Sequence, residues 1–255
     1  MADEERFAHL GERERGALAA ELGPRPFDPR FVVRALGLRP GQAVLEAFAG
    51  TGGRARALAL AGLVVTAVEP SAPLLAEARR AAGAAGPPVR WLQADPAALG
   101  PLGVFAAALC LSPRWCVADG PSPLAVLRAL ARQLLPGAPV LLEAPHAGWL
   151  ETHPHGTSWA VAGGAAVRET YRYDPATATV EVGWSVRRRG AAPWEASLRF
   201  AAYRIADLER LLAQAGLALE AAFGGHAGAP LSAAHPLILA RARRTAVPVL
   251  GPGAD

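Results

Sequence analysis

Between residues 43 and 143, short apolar runs alternate with segments of helical periodicity, and this alternation leaves few folds open. The apolar runs span residues 43–46, 63–68, 89–94, 104–111 and 138–143. The run over 104–111 is continuously apolar, as expected of a strand that is covered on both sides. Helical segments are expected at 54–60, 73–82 and 124–135. The second carries Leu74, Leu75 and Ala78 on one face, and the third carries Leu124, Leu127, Ala131 and Leu134 near helical spacing. Repeated units of this kind join parallel strands through right-handed crossovers, so a doubly wound α/β sheet with helices on both faces is expected.

The flanking segments extend this plan. Asp28 suits an N-cap and Pro29 a first turn, which predicts a helix over 28–36. Phe7, Leu10 and Leu18 give the charged start of the chain a weak amphipathic pattern, so residues 1–40 read as a helical cap. After residue 143 the period changes to two. Val180, Val182, Trp184 and Val186 share one face, and Thr179, Glu181, Ser185 and Arg187 the other. With a turn near 175–178, and with Leu198 and Phe200 beyond a second turn, residues 147–203 predict a small antiparallel insertion of about three strands. A helix over 205–215 with Gly216 as C-cap, then strands near 217–223 and 236–242, completes a mostly parallel seven-stranded sheet. Residues 245–255 read as a flexible tail, and the whole chain, 1–255, as a single domain.

Composition narrows the chemistry. The chain has 255 residues, 52% hydrophobic and 19% charged, which suits one large domain with an insertion. All 26 basic side chains are arginine; the absence of lysine excludes a Walker-type phosphate loop and Schiff-base chemistry. The net charge is only +4, and the longest basic run, Arg187–Arg189, precedes Gly190 and reads as a solvated turn. A nucleic-acid partner is therefore not favoured. Two cysteines, Cys110 and Cys116, an N-terminus rich in charge and no long apolar span predict a reduced, cytoplasmic protein without a membrane segment. Cys110 reads as a small buried hydrophobe and Cys116 as loop-exposed.

The first strand runs into a glycine-rich turn, Glu46-Ala47-Phe48-Ala49-Gly50-Thr51-Gly52-Gly53-Arg54-Ala55. Such a turn brings backbone close to a ligand, and the following helix aims free N–H groups at it. Gly50-x-Gly52-x-x-Ala55, with Glu69 further on, satisfies a dinucleotide fingerprint. Three features oppose that reading. Glu46 would face an anionic pyrophosphate, more than 40 residues precede the strand, and Asp95 adds a second acid at the cofactor edge. A cofactor that carries positive charge and no phosphate fits these acids better.

On these residues the chain resembles the class I, seven-stranded, Rossmann-like methyltransferases that use S-adenosylmethionine. The resemblance covers roughly residues 28–243. It rests on the turn above, on Val68-Glu69-Pro70-Ser71 and on Trp91-Leu92-Gln93-Ala94-Asp95. Phe105 to Leu111 and Leu134 to Glu143 complete it. The resemblance implies that Glu46, Ala47, Phe48, Ala49, Gly50, Thr51 and Gly52 belong to the site of S-adenosyl-L-methionine, with Gly50 and Gly52 letting the backbone pass under its methionine part and Glu46 ordering the turn, directly or through water. It further implies that Glu69, with Pro70 beside it, takes the ribose hydroxyls. Ala94 and Asp95 would hold the adenine, and the backbone at Cys110 and Leu111 the methionine end. Two positions depart from the family: Phe48 stands where glycine is usual, and Ala106 where aspartate is usual.

Methyl transfer leans on alignment and water exclusion, so catalytic residues leave a weak signal. The candidates follow the fourth and fifth strands: Arg114, Trp115, His146 and Trp149 toward substrate, with His146 as the candidate base. Trp149, Trp159 and Trp184 are further candidates to roof an apolar acceptor, against packing of the inserted sheet. His153 and His155 lack further ligands at convincing spacing, so no metal is expected. The reading is a methyltransferase for a small-molecule acceptor. An RNA or protein methyltransferase and a non-catalytic methyltransferase-like scaffold are the alternatives, with an NAD-dependent oxidoreductase behind them.

Overall fold

The structure is a computed structural model that describes residues 27–162, 165–190, 192–226 and 228–245. β1 (Ala43–Ala47), β2 (Val64–Val68), β3 (Val89–Leu92), β4 (Ala107–Cys110) and β5 (Pro139–Pro145) pair in parallel. Beyond them lies the inserted sheet of β6 (His155–Ala162), β7 (Ala165–Asp174), β8 (Thr179–Arg188) and β9 (Trp194–Ala201). β10 (Leu217–Phe223) and β11 (Leu237–Arg244) then return to the main sheet, where β11 runs antiparallel to β5. The main sheet has the order β10-β11-β5-β4-β1-β2-β3. Chain direction across the sheet reverses between β1 and β4, which opens a crevice at the carboxyl ends of those strands.

Side-chain alternation sends each strand's residues into two cores. Val44, Val65, Leu109 and Leu141 pack against α1 (Pro29–Leu36) and α2 (Gly53–Leu60). Leu45, Ala108, Val140 and Leu142 face the opposite core with α4 (Pro123–Gln133) and α6 (Ile205–Gln214). α3 (Ala72–Ala82) lies between β2 and β3, with Leu75 and Ala78 buried. The helix starts follow local chemistry: the Asp28 carboxylate accepts the Arg30 N–H at 2.9 Å, and Gly37, at φ 64°, ends α1.

The inserted sheet is antiparallel, with order β6-β7-β8-β9, and joins the second core through Val167, Tyr173, Val180, Trp184, Val186, Leu198 and Phe200. It has four strands where the sequence pattern predicts about three. The extra strand is β6, an edge strand that begins at His155. Thr157, Ser158 and Trp159 are all exposed, so neither of its faces leaves the apolar alternation on which the expectation rests. β4 is shorter than the run over 104–111: Val104 is 63% exposed, and regular pairing starts at Ala107. The expected helix around Phe7, Leu10 and Leu18 and the tail from residue 246 lie outside the described residues. Among the described residues, no helix is long and apolar enough to cross a membrane.

Candidate functional site

The glycine turn leaves β1 at Ala47 and enters α2 at Gly53. Its start is tied to the neighbouring strand by Ala49 N–H donating to the Val68 carbonyl at 3.1 Å. Phe48, Gly50 and Gly52 take φ values of 54°, 59° and 73°. The two glycines serve different needs. A Cβ on Gly52 would lie 2.3 Å from the Trp91 ring, whereas one on Gly50 would meet nothing within 4 Å. Gly52 therefore lets the turn close onto β3, and Gly50 faces open space from which a ligand can approach. Phe48 keeps the left-handed conformation that glycine adopts freely, at a cost of ~1–2 kcal/mol for a residue with a Cβ. Its ring is 2% exposed and sunk in the second core.

Two buried acids flank this turn. Glu46 is fully buried, and its Oε1 accepts from Arg54 Nε at 2.9 Å. Its Oε2 has no hydrogen-bond partner among the described residues. Burial pushes the Glu46 carboxyl upward in pKa, and the Arg54 guanidinium pulls it part of the way back. Such a half-satisfied buried carboxylate is suited to receive a cationic donor. Glu69, also fully buried, sits just past the end of β2. Its Oε2 accepts the Gly50 N–H at 2.8 Å and its Oε1 accepts the Ser71 N–H at 3.0 Å. Arg114 Nη1 reaches both oxygens at 2.9 Å, and the same guanidinium lies 5.3 Å from the centre of the Phe48 ring. Asp95 is exposed beyond β3 and uses Oδ1 to accept the Ala97 N–H at 2.9 Å. Pro70 and Ala94 are half-buried beside these acids.

The exits of β4 and β5 differ from expectation. Cys110 and Cys116 are both fully buried, so Cys116 is not loop-exposed; its thiol sits 3.0 Å from the Pro113 carbonyl. Burial pushes both thiols up in pKa, which makes them poor nucleophiles. Leu111 is 3% exposed. Trp115, expected toward substrate, is 1% exposed instead: it stacks on Tyr203 at 5.6 Å and donates Nε1–H to the Glu143 carbonyl at 2.6 Å. Arg114, on the same short turn, keeps its head group at the crevice.

His146 acts as a staple. Its Nδ1 is 2.9 Å from the His235 carbonyl and its backbone N–H donates to the Pro236 carbonyl, which ties the end of β5 to the segment before β11. With a carbonyl as partner, Nδ1 carries the hydrogen, and Nε2 is packed against Gly148. Trp149, on α5 (Ala147–Leu150), is half-buried and stacks on His153 at 4.4 Å. The three candidate roofing tryptophans do not converge. Strand register aligns Trp159 with Arg168 and Ser185, and therefore puts it on the opposite face from Trp184.

One pair was not legible in the sequence. Glu143, 2% exposed in β5, lies one residue beyond the Cys110–Leu142 pair of β4 and β5. Its Oε2 is 2.6 Å from His226 Nε2, and His226 Nδ1 is buried with no hydrogen-bond partner among the described residues. His226 comes from the loop between β10 and β11, 83 positions away, and only the Gly224-Gly225 turn before it marks the place. With the carboxylate accepting at Nε2, Nδ1 keeps the lone pair that a proton acceptor needs.

Residues 44–137 match the family model described as Methyltransferase domain. No curated protein matches the chain in sequence. Among solved structures, the CcbJ methyltransferase from Streptomyces caelestis is 21% identical with a TM-score of 0.73, covering 96% of each chain. An S-adenosylmethionine-dependent methyltransferase from Clostridium acetobutylicum is 15% identical with a TM-score of 0.74, over 96% of this chain and 100% of its own. CalS10, an amino pentose methyltransferase from Micromonospora echinaspora, is 18% identical with a TM-score of 0.60, over 96% of each chain. The structural likenesses are likenesses of fold; the sequence match falls on β1, the glycine turn and the strand-end acids. The chain thus carries a match to the methyltransferase domain over residues 44–137, and over almost its whole length it has the fold of solved S-adenosylmethionine-dependent methyltransferases.

Proposed function

We propose that the protein methylates a small molecule, with the adenosyl cofactor over the glycine turn and the acceptor at the exits of β4 and β5. The observation that carries this is Glu69. Two backbone amides, from Gly50 and Ser71, hold its carboxylate at the end of β2. A carboxylate fixed in that way suits the two hydroxyls of a ribose. The unpartnered Oε2 of Glu46 fits the ammonium of the methionine part, and the open side of Gly50 leaves room for it to pass. Asp95, with Ala94, fits the adenine amino group, and the Cys110–Leu111 backbone lies at the methionine end.

S-adenosylmethionine, when bound, supplies a methyl group activated by its sulfonium. The chain's own residues then align the acceptor, exclude water and take its proton. Nδ1 of His226 is the better-placed proton acceptor, with Nε2–H held by Glu143; His146 is occupied as a staple. The buried carboxylate fixes the ring's orientation and the tautomer with the hydrogen on Nε2 and the lone pair on Nδ1.

The inserted sheet supports a small acceptor. Val117 bridges to Phe200 and the Ala118 N–H donates to the Arg199 carbonyl, so β9 is fastened to the loop that carries Arg114. That arrangement suits a lid over the crevice. CalS10 is described as an amino pentose methyltransferase and KedS8 as a sugar N-methyltransferase, which makes amino sugars the first acceptors to try.

The test is transfer of label from methyl-tritiated S-adenosylmethionine to amino sugars, phenols, transfer RNA and a basic peptide. Label in a small molecule is expected, with kcat falling about 100-fold in His226→Asn and KM little changed. Label in RNA or peptide alone would overturn the small-molecule reading.

A further inference from the structure

Glu69 has no acceptor capacity left. A carboxylate offers about four lone-pair sites. Gly50 and Ser71 take one on each oxygen, and Arg114 Nη1 takes the other on each. A ribose diol needs two of the same sites. The Gly50 and Ser71 amides are fixed by the turn and by the chain after β2, so only Arg114 can give way.

Arg114 is built to give way alone. The turn that carries it, Pro113–Cys116, is anchored by buried Trp115, which is stacked on Tyr203 and bonded to the Glu143 carbonyl. The Arg114 side chain itself is 18% exposed, and it rests on the Glu69 carboxylate and the face of the Phe48 ring. That ring stands where the family has glycine. A glycine there would offer the guanidinium no surface, so the strained Phe48 and the Arg114 head group form one device.

We propose that Arg114 is an exchangeable latch that closes the ribose site of the empty enzyme and is displaced by the ribose hydroxyls when cofactor binds. The proposal rests on the reading of Glu69 as the ribose acid. The latch lowers the apparent affinity for any adenosyl ligand, because binding must first open it. It also makes the release of a guanidinium beside the acceptor end a consequence of cofactor binding.

Isothermal titration of the full chain tests the latch, using S-adenosylhomocysteine, adenosine and 2′,3′-dideoxyadenosine against wild type, Arg114→Gln and Arg114→Ala. Both variants are expected to bind S-adenosylhomocysteine and adenosine about tenfold more tightly than wild type, with dideoxyadenosine unchanged. S-adenosylhomocysteine has no sulfonium, so its gain cannot come from relieved charge repulsion at sulfur. Unchanged or weaker binding by both variants, or an equal gain for dideoxyadenosine, would overturn the latch while wild-type binding still upheld the cofactor site. Failure of all three proteins to bind S-adenosylhomocysteine would remove both. A crystal structure of wild type with S-adenosylhomocysteine adds a readout independent of the variants: Arg114 off Glu69 is expected, and Arg114 still bonded to both oxygens contradicts the proposal.

Discussion

The two ends of the crevice are built by different means. At the proposed cofactor end, the contacts are short in sequence: Glu69 to Ser71 spans 2 positions, Glu46 to Arg54 spans 8, and Gly50 to Glu69 spans 19. At the proposed acceptor end they are long: Glu143 to His226 spans 83, and His146 to His235 spans 89. The first kind of site is a property of strand exits and a turn, and survives wherever the local pattern survives. The second exists only once β11 has paired with β5 and the inserted sheet has docked.

The largest effect should therefore come from packing at the acceptor end. Trp115→Ala is expected to cost ~3–5 kcal/mol of stability, because it empties a fully buried indole site and leaves the Glu143 carbonyl without its donor. Thermal unfolding followed by circular dichroism measures this. A variant that melted like wild type would place Trp115 outside the core, open to substrate as the sequence reading expected.

Next in size is the loss of the proposed ribose acid. Glu69→Ala should weaken S-adenosylhomocysteine binding by ~1.5–3 kcal/mol, the worth of charge-assisted hydrogen bonds, while the fold is retained. Unchanged affinity in a titration would take Glu69 out of the site.

The two glycines sharpen the comparison within the cofactor end. Gly52→Ala should cost ~1–3 kcal/mol, from positive φ and from the clash with Trp91. Gly50→Ala should cost stability only ~1 kcal/mol, because its Cβ would enter open space, yet it should still weaken S-adenosylhomocysteine binding. Equal melting temperatures for the two variants would show that Trp91 does not set the closure of the turn.

The smallest effect concerns Glu46. Burial raises its folded pKa above the usual 4.5, so the native state holds this proton more tightly than the unfolded state does. The contribution to stability is then full below pH ~4.5 and is lost as pH rises toward the folded value. Glu46→Gln has no such proton. The melting temperature of wild type minus that of Glu46→Gln should shrink as pH rises through that window. A difference that grew with pH would mean that Arg54 outweighs burial.

These contrasts explain what could be read from the chain alone. The alternation over residues 43–143 carries the parallel sheet, because β1, β2, β4 and β5 are buried over most of their length and so write their own apolar runs, while β3 is a half-buried edge strand. The glycine turn and its flanking acids, the proposed cofactor residues, were legible as a local pattern because a strand exit, a turn glycine and an acid lie within one short window. β6 was not, since an edge strand exposed on both faces needs no alternation. Trp115 and Cys116 were misplaced for a related reason: a loop after a strand reads as exposed until β9 and Tyr203 are known to cover it. His146 and His226 look alike in sequence. Their partners, a carbonyl in one case and a carboxylate in the other, are set by contacts more than 80 positions away.

The central claim is that the glycine turn with Glu46 and Glu69 presents an adenosyl site for a cation-bearing cofactor. Isothermal titration of wild-type protein with S-adenosylhomocysteine and, separately, NAD tests it most directly. One-to-one binding of S-adenosylhomocysteine with no heat from NAD is the predicted result. NAD binding, or no heat from S-adenosylhomocysteine at high protein concentration, would contradict it.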